Sequence, residues 1–100
     1  MGKASRDKGA RGEREVARIF REAGFEDAAR TGEWKPDDVI VTIKGEQRKI
    51  EVKLRAKGAG AGLLYEAIEK AWAVAHKADR REYLITLRIG DLIDLAKSIS

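Results

Sequence analysis

Pro36-Asp37-Asp38-Val39-Ile40-Val41 and Ile50-Glu51-Val52-Lys53-Leu54 are the two segments that decide the fold. Segments 39–43 and 48–54 are rich in β-branched residues, and the polar, glycine-containing stretch 44–47 separates them, which predicts a β-hairpin. Successive side chains of a strand point to opposite faces, so the second strand has one apolar and one charged face. The apolar face carries Ile50, Val52 and Leu54, and the charged face carries Lys49, Glu51 and Lys53.

The register of this hairpin decides which charged residues meet. Closing it symmetrically on Gly45-Glu46 places Asp38 across from Lys53 and diagonal to Glu51, within side-chain reach. Asp37 is one residue out of phase and points to the other side, although a slip of one residue would exchange the two aspartates. The hairpin is therefore predicted to gather two carboxylates and one ammonium group on a small patch.

A patch of this composition fits metal-assisted phosphodiester cleavage. Mg²⁺ prefers carboxylate oxygens and keeps several waters, one of which it can activate while it neutralises charge on the phosphate. A lysine beside the ion can orient or deprotonate the attacking water, or stabilise the transition state as a point charge. The plainer alternative is a solvated hairpin face on which Glu51 and Lys53 form an ordinary pair within one strand.

A resemblance to known proteins strengthens the first interpretation. The run Pro36-Asp37-Asp38, a short gap and Glu51-Val52-Lys53 resembles the PD-(D/E)xK nuclease signature. Residues 8–16 (KGARGEREV), 23–25 (AGF) and 30–32 (RTG) are similar to archaeal-type Holliday junction resolvases and their phage relatives. The resemblance extends from about Lys8 to Leu87. It implies an α/β fold with an αβββαβ restriction-endonuclease-like core, in which helices flank a mixed central sheet.

The resemblance also implies a role for each residue of the patch. Asp38 and Glu51 would bind Mg²⁺, with Mn²⁺ as a substitute, and the Val52 carbonyl would be a backbone ligand. Lys53 would assist the attacking water. Glu13 matches a metal-site or catalytic glutamate of the family, with Glu15 as the fallback. The alternative for Glu13 is that its charge merely favours the positive N-terminus of a helix.

The composition sets the outer limits of the interpretation. A chain of 100 residues with 43% hydrophobic content predicts one folded domain. Its net charge of +4 and pI near 9.5 suit a polyanionic partner. It has no cysteine, no apolar run of membrane-spanning length and no secretory signal at its polar start. We therefore expect a cytoplasmic protein of an archaeon, a bacterium or a phage-infected cell; compactness alone suggests a phage.

Basic residues predict where DNA would bind. Residues 1–12 are rich in lysine, arginine and glycine and are interpreted as a flexible basic arm before a single domain at 13–100, the alternative being a frayed terminus. Trp34 would either stack on a base or pack over the end of the sheet. The predicted DNA contacts are Lys3, Arg6, Lys8, Arg11, Arg30, Thr31, Trp34, Lys35, Arg55 and Lys57.

Hydrophobic periodicity predicts the remaining elements. Helices are expected at about 13–23, 63–78 and 91–99, and further strands at 25–31 and 82–89. His76 would lie on the surface near the end of the second helix. The third helix is unusually apolar for a terminus, which suggests a dimer interface or packing on the second helix.

These observations support a metal-dependent endonuclease that resolves four-way junctions. Two symmetric cuts need two active sites, so the hypothesis includes a two-fold homodimer. Two alternatives stay open. The same chemistry would serve on flaps, single strands or duplex DNA, and the same basic surface would serve a non-catalytic DNA-binding module.

Overall fold

The computed structural model describes residues 2–30 and 38–99. For residues 2–8 and 99 it describes the backbone but not the side chains. One five-stranded sheet has the order β1-β2-β3-β4-β5, in which β3 and β4 are parallel and the other neighbours antiparallel. This confirms the predicted α/β fold: αβββαβ is followed by one more strand and one more helix. The elements are α1 (Gly2–Glu22), β1 (Ala29–Arg30), β2 (Asp38–Ile43), β3 (Glu46–Leu54), α2 (Ala61–Ile68), β4 (Ala73–Lys77), β5 (Leu84–Leu87) and α3 (Ile89–Ile99).

The hairpin forms as predicted, but its register differs by two residues. Asp38 pairs with Glu51 rather than with Lys53. The reason is the turn: Lys44 and Gly45 both have positive φ, 53° and 81°, as a two-residue type I′ turn requires. A shift of two residues leaves every side chain on its predicted face, because the strand repeat is two.

The second predicted helix, 63–78, is wrong in its second half. Helix α2 ends at Ile68, and residues 73–77 form β4, which runs parallel to β3. Ala73, Val74 and Ala75 are buried on both sides of the sheet, so they form a continuous apolar run without alternation. The sequence predicted a helix here because the segment is rich in alanine and no glycine or proline separates it from α2. His76 therefore belongs to a strand and not to a helix terminus.

The first helix also differs from the sequence-based expectation. It begins at Gly2 rather than at Glu13, so residues 2–12, predicted as a flexible arm, continue the helix. The division of the chain into an arm and a domain stays a prediction. None of the helices in residues 2–30 and 38–99 is both long enough and apolar enough to cross a membrane.

Helices α1 and α2 lie on opposite faces of the sheet. Val16 and Ala17 of α1 pack with one face, which includes Val39, Ile50 and Val52. Gly12 brings α1 close, because a Cβ there would lie 2.9 Å from Leu54 Cδ1. On the other face, α2 packs against Val74. Glu51 pairs with Val74 and so points to the α2 side.

A carboxylate completes the hydrogen bonding of β2 where its short neighbour β1 does not reach. The Thr42 N–H donates to Asp27 Oδ1 at 3.1 Å, and the Thr42 hydroxyl donates to Asp27 Oδ2. These bonds from the Thr42 side chain and backbone lower the pKa of Asp27 from its ordinary value of 3.8. The ionised carboxylate thus holds the loop before β1 against the hairpin.

Asp27→Asn is expected to lower the free energy of unfolding more at pH 7 than at pH 3. The folded-state pKa lies below the unfolded value of 3.8, so the stabilisation is present above 3.8 and is lost progressively as pH falls from there through the folded-state pKa. Urea unfolding midpoints of both proteins at the two pH values measure the difference. An equal difference at pH 7 and pH 3 would show that the Asp27 charge has no part in it.

Candidate active site

Strands β2 and β3 bring two acidic residues directly opposite each other. Asp38 and Glu51 are cross-strand partners, and their residues are only 6% and 7% exposed. Each carboxylate has a lysine beside it: Lys49 Nζ lies 3.1 Å from Asp38 Oδ2, and Lys53 Nζ lies 2.9 Å from Glu51 Oε1. The structure therefore assembles the predicted patch of Asp38, Glu51 and Lys53 on the α2 side of the sheet.

One carboxylate oxygen of this patch lacks a hydrogen-bond partner in the part of the chain that the structure describes. Glu51 Oε2 is buried and has no hydrogen-bond partner among residues 2–30 and 38–99. A buried oxygen without a partner costs about 1–3 kcal/mol, and more when it is charged. Such an atom on a buried pair of carboxylates fits a cation, because Mg²⁺ is commonly held by one or two carboxylates together with water and substrate phosphates.

Lys49 is a member of the patch that sequence reasoning missed. The assumed register placed it too far along the hairpin to reach Asp38. In the observed register Lys49 pairs with Ile40, one step diagonal from Asp38. Recognising Lys44-Gly45 as a two-residue turn would have found it, since such turns are the commonest in hairpins.

Glu13 is buried on the other side of the sheet. It is 1% exposed, and its Oε1 accepts a hydrogen bond from Arg30 Nε at 2.9 Å. This bond raises the pKa of Arg30 above its ordinary value. Arg30 pairs with Val39, whose side chain faces α1. The part of the chain that the structure describes holds no cluster of three His, Cys, Asp or Glu side chains suited to one ion.

Other predicted residues fall in different places. Arg11, Arg55 and Lys57 are exposed, and Arg55 Nη1 donates to the Leu54 carbonyl at 2.9 Å. Glu15, the fallback for Glu13, accepts a hydrogen bond from the Tyr83 hydroxyl. Val52 is buried on the α1 face, and its carbonyl as a metal ligand stays a prediction. Outside the description lie the side chains of Lys3, Arg6 and Lys8 and all of Thr31, Trp34, Lys35 and Asp37.

The structure adds a neighbour to Lys53. His76 is the β4 partner of Lys53 and shares its face of the sheet, with the strands about 5 Å apart. Its Nε2 lies 2.9 Å from Thr86 Oγ1. Burial lowers the pKa of His76 below its ordinary value of 6.5, so the ring is uncharged at neutral pH. The sequence offered no sign of this neighbour while β4 was interpreted as a helix.

The order of elements and the carboxylate–lysine patch on a hairpin match the restriction-endonuclease-like core of the PD-(D/E)xK superfamily. Within that superfamily, the model of the archaeal Holliday junction resolvase (Hjc) family matches residues 4–99. The chain therefore belongs to the archaeal Holliday junction resolvase family, whose nucleases act on branched DNA in recombination and repair. This confirms the resemblance seen in the sequence.

The family match stands without support from individual proteins. No curated protein and no solved structure matches this chain. The roles of single residues consequently depend on the geometry described above.

Proposed function

We propose that this protein is a Mg²⁺-dependent endodeoxyribonuclease that resolves four-way junctions by paired phosphodiester hydrolysis as a homodimer. The observation that carries the proposal is the buried, directly opposed pair Asp38–Glu51 with a lysine on each carboxylate. Membership of the resolvase family supplies the substrate class. The cytoplasm of an archaeal, bacterial or phage-infected cell is the proposed setting.

The proposed metal ligands are Asp38 and Glu51, with the Val52 carbonyl as a further ligand. Glu13, the other residue expected from the sequence, lies on the opposite face of the sheet, where its carboxylate pairs with Arg30, and is left out of this metal site. A bound Mg²⁺, or Mn²⁺ in its place, would supply an activated water and neutralise phosphate charge. Glu51 Oε2 is available as a donor atom, since it is buried without a partner in the described structure.

Lys53 is proposed to act on the phosphate. An ammonium group has three N–H donors, and Glu51 Oε1, 2.9 Å away, accepts from one of them. The others can donate to a phosphate oxygen or to the attacking water. A positioned cation in a site largely closed to solvent stabilises the charge that develops during hydrolysis without needing to reorganise. Lys49, whose Nζ lies 3.1 Å from Asp38 Oδ2, is proposed to position the Asp38 carboxylate.

The homodimer is proposed to form through an exposed apolar surface, which we call the α3 face. It consists of Ile89, Leu92 and Ile93 on α3, which are 76%, 51% and 47% exposed. It continues onto the edge strand β5 and onto α2, with a groove of about 520 Å³ between them. Exposed apolar surface beside an open sheet edge suits a second copy of the chain, and the two-fold substrate requires two sites.

The test is cleavage of a labelled four-way junction beside duplex, single-stranded and flap DNA, with Mg²⁺ or EDTA. Paired symmetric nicks in the junction alone, absent in EDTA and in Lys53→Ala, are the expected result. Metal-dependent cutting of the other substrates would keep the chemistry and assign a more general nuclease. Junction binding without cutting by the wild type would leave a DNA-binding module and refute the site.

A further inference from the structure

A basic pocket lies at the end of the parallel strands, close to the carboxylate patch but separate from it. Its volume is about 270 Å³, and it lies between the loop after β3 and the segment that joins β4 to β5. Lys57, His76, Arg81 and Glu82 are its charged and titratable lining residues. Lys77 also lines it, but Lys77 pairs with Leu54 and its ammonium lies over the Tyr83 ring, 5.8 Å from the centroid, on the α1 side of the sheet and away from His76. The two remaining permanent cations outnumber the one carboxylate.

The single acid does little to neutralise this pocket. Arg81 Nε and Glu82 Oε1 are 3.9 Å apart, and both side chains are about three-quarters exposed, at 74% and 75%. Solvent-exposed pairs of this kind contribute almost nothing, so Arg81 remains available to another anion.

The loop after β3 is shaped to leave the pocket open. Gly58, one of the lining residues, has φ of +93°, a conformation that favours glycine. The loop is tied to the other wall by hydrogen bonds from Arg55 N to the Lys77 carbonyl and from Asp79 N to the Ala56 carbonyl, both 3.2 Å. These bonds hold the loop that carries Lys57 beside the segment that leads to Arg81.

His76 links this pocket to the proposed catalytic patch. It lines the pocket and is also the direct strand neighbour of Lys53. The pocket lies about three residues further along the strands than Glu51, or roughly 10 Å at 3.3 Å per residue. One extended DNA strand can contact both places at this separation.

We propose that this pocket binds a phosphodiester group of the cleaved strand, next to the phosphate that is cut. The inference rests on the proposed function for the identity of the strand, but the pocket itself predicts only an anion. A DNA phosphodiester and a free oxyanion share this chemistry, so the experiment must distinguish them.

The chain offers a reporter for the test, because His76 is its only histidine. Its Hε1 signal in a one-dimensional proton NMR spectrum follows its protonation without any assignment problem. The groups on its face of the sheet and in the pocket around it are Lys53, Lys57, Arg81, Glu82 and Thr86. An anion placed among them favours the charged ring, so sulfate is expected to raise the measured pKa by about 0.5–1 unit relative to chloride of equal ionic strength.

Two variants locate the anion. Lys57→Ala and Arg81→Ala each are expected to weaken the sulfate effect roughly threefold. Lys70→Ala is the matched control, since Lys70 is also exposed but precedes β4 at the opposite end of the strand. Lys53→Ala should retain the effect. An equal His76 pKa in sulfate and in chloride would overturn the proposed anion site. Loss of the sulfate effect in Lys53→Ala alone would do the same.

Junction binding in EDTA then separates DNA from a free anion. Each phosphate contact contributes a slope of about 0.9 to the decrease of log K with log salt for duplex DNA, so Lys57→Ala should reduce the slope by roughly this amount. An unchanged slope beside a clear sulfate effect would overturn the assignment to the DNA strand. A sulfate effect in a protein that cuts no junction would support the pocket and refute the proposed function instead.

Discussion

Glu51→Gln is expected to slow metal-dependent junction cleavage by roughly 10³-fold, about 4 kcal/mol in activation free energy. The substitution keeps the shape of the side chain but removes one of the two charges that we propose to hold the cation. It also takes the counter-charge from Lys53, whose Nζ lies 2.9 Å from Glu51 Oε1. Single-turnover cleavage at saturating protein and Mg²⁺ measures the effect directly on the chemical step.

The control for this variant is Glu66→Gln, the same chemical change at an exposed position of α2. It should cleave at the wild-type rate. Junction affinity in EDTA should be similar in all three proteins, because Glu51 is proposed to act on the cation and not on the DNA. Wild-type cleavage by Glu51→Gln would remove this residue from the active site.

The same variant should be less stable than the wild type in EDTA. A neutral amide in place of Oε2, which has no partner in the described part of the chain, costs less to bury than a charged oxygen. That gain is smaller than the loss, because the Lys53 ammonium, whose side chain is 18% exposed, is left without its counter-charge, and removing one partner of a buried ion pair costs about 3–5 kcal/mol. Urea unfolding of both proteins in EDTA measures the difference, and equal stability would show that the Glu51–Lys53 pair contributes nothing to folding.

The faces of the hairpin could be predicted from sequence because they depend only on alternation. Asp38, Glu51 and Lys53 share a face in the structure even though the assumed register differed by two residues. The turn decided that difference. Lys44 adopts a positive φ, which non-glycine residues seldom do, so its identity gave no indication of a turn centred on Lys44-Gly45.

Strand β4 could not be predicted because its environment, and not its local preference, makes it a strand. Ala73 and Ala75 favour helix in isolation, but the β3 edge and the helices on both faces bury this segment completely. Because this segment was predicted as a helix, the position of His76 was also predicted wrongly. Its position beside Lys53 depends on the parallel pairing of two strands joined through α2, a long-range contact that no local pattern encodes.

Glu13 shows a different limit of sequence reasoning. Its place near the buried stripe of the first helix was evident, and the structure does bury it. Its partner was not evident, since Arg30 reaches it only because β1 pairs with β2 under α1. Periodicity predicts that a residue is buried, whereas the partner that satisfies it depends on the packing of the whole sheet.

Ile93→Glu is expected to convert the proposed dimer into a monomer. Ile93 lies on the α3 face and is 47% exposed in the single chain. Burying a carboxylate in an apolar contact costs about 2 kcal/mol, and two-fold symmetry applies the change twice. The total of about 4 kcal/mol weakens the dimer by roughly 10³-fold. Sedimentation velocity over a range of protein concentrations measures the shift.

Ile19→Glu is the matched control, because Ile19 is 48% exposed on α1 and lies outside the α3 face. It should leave the dimer intact. The functional consequence can be seen on a supercoiled plasmid with an extruded cruciform, where two cuts within one encounter give linear product and single cuts give nicked circles. The wild type and Ile19→Glu should give linear plasmid, and Ile93→Glu mainly nicked circles at an intact chemical rate. A wild type that stays monomeric on DNA, or linear product from Ile93→Glu, would refute the two-fold arrangement, since coupled cuts need two active sites held in one particle.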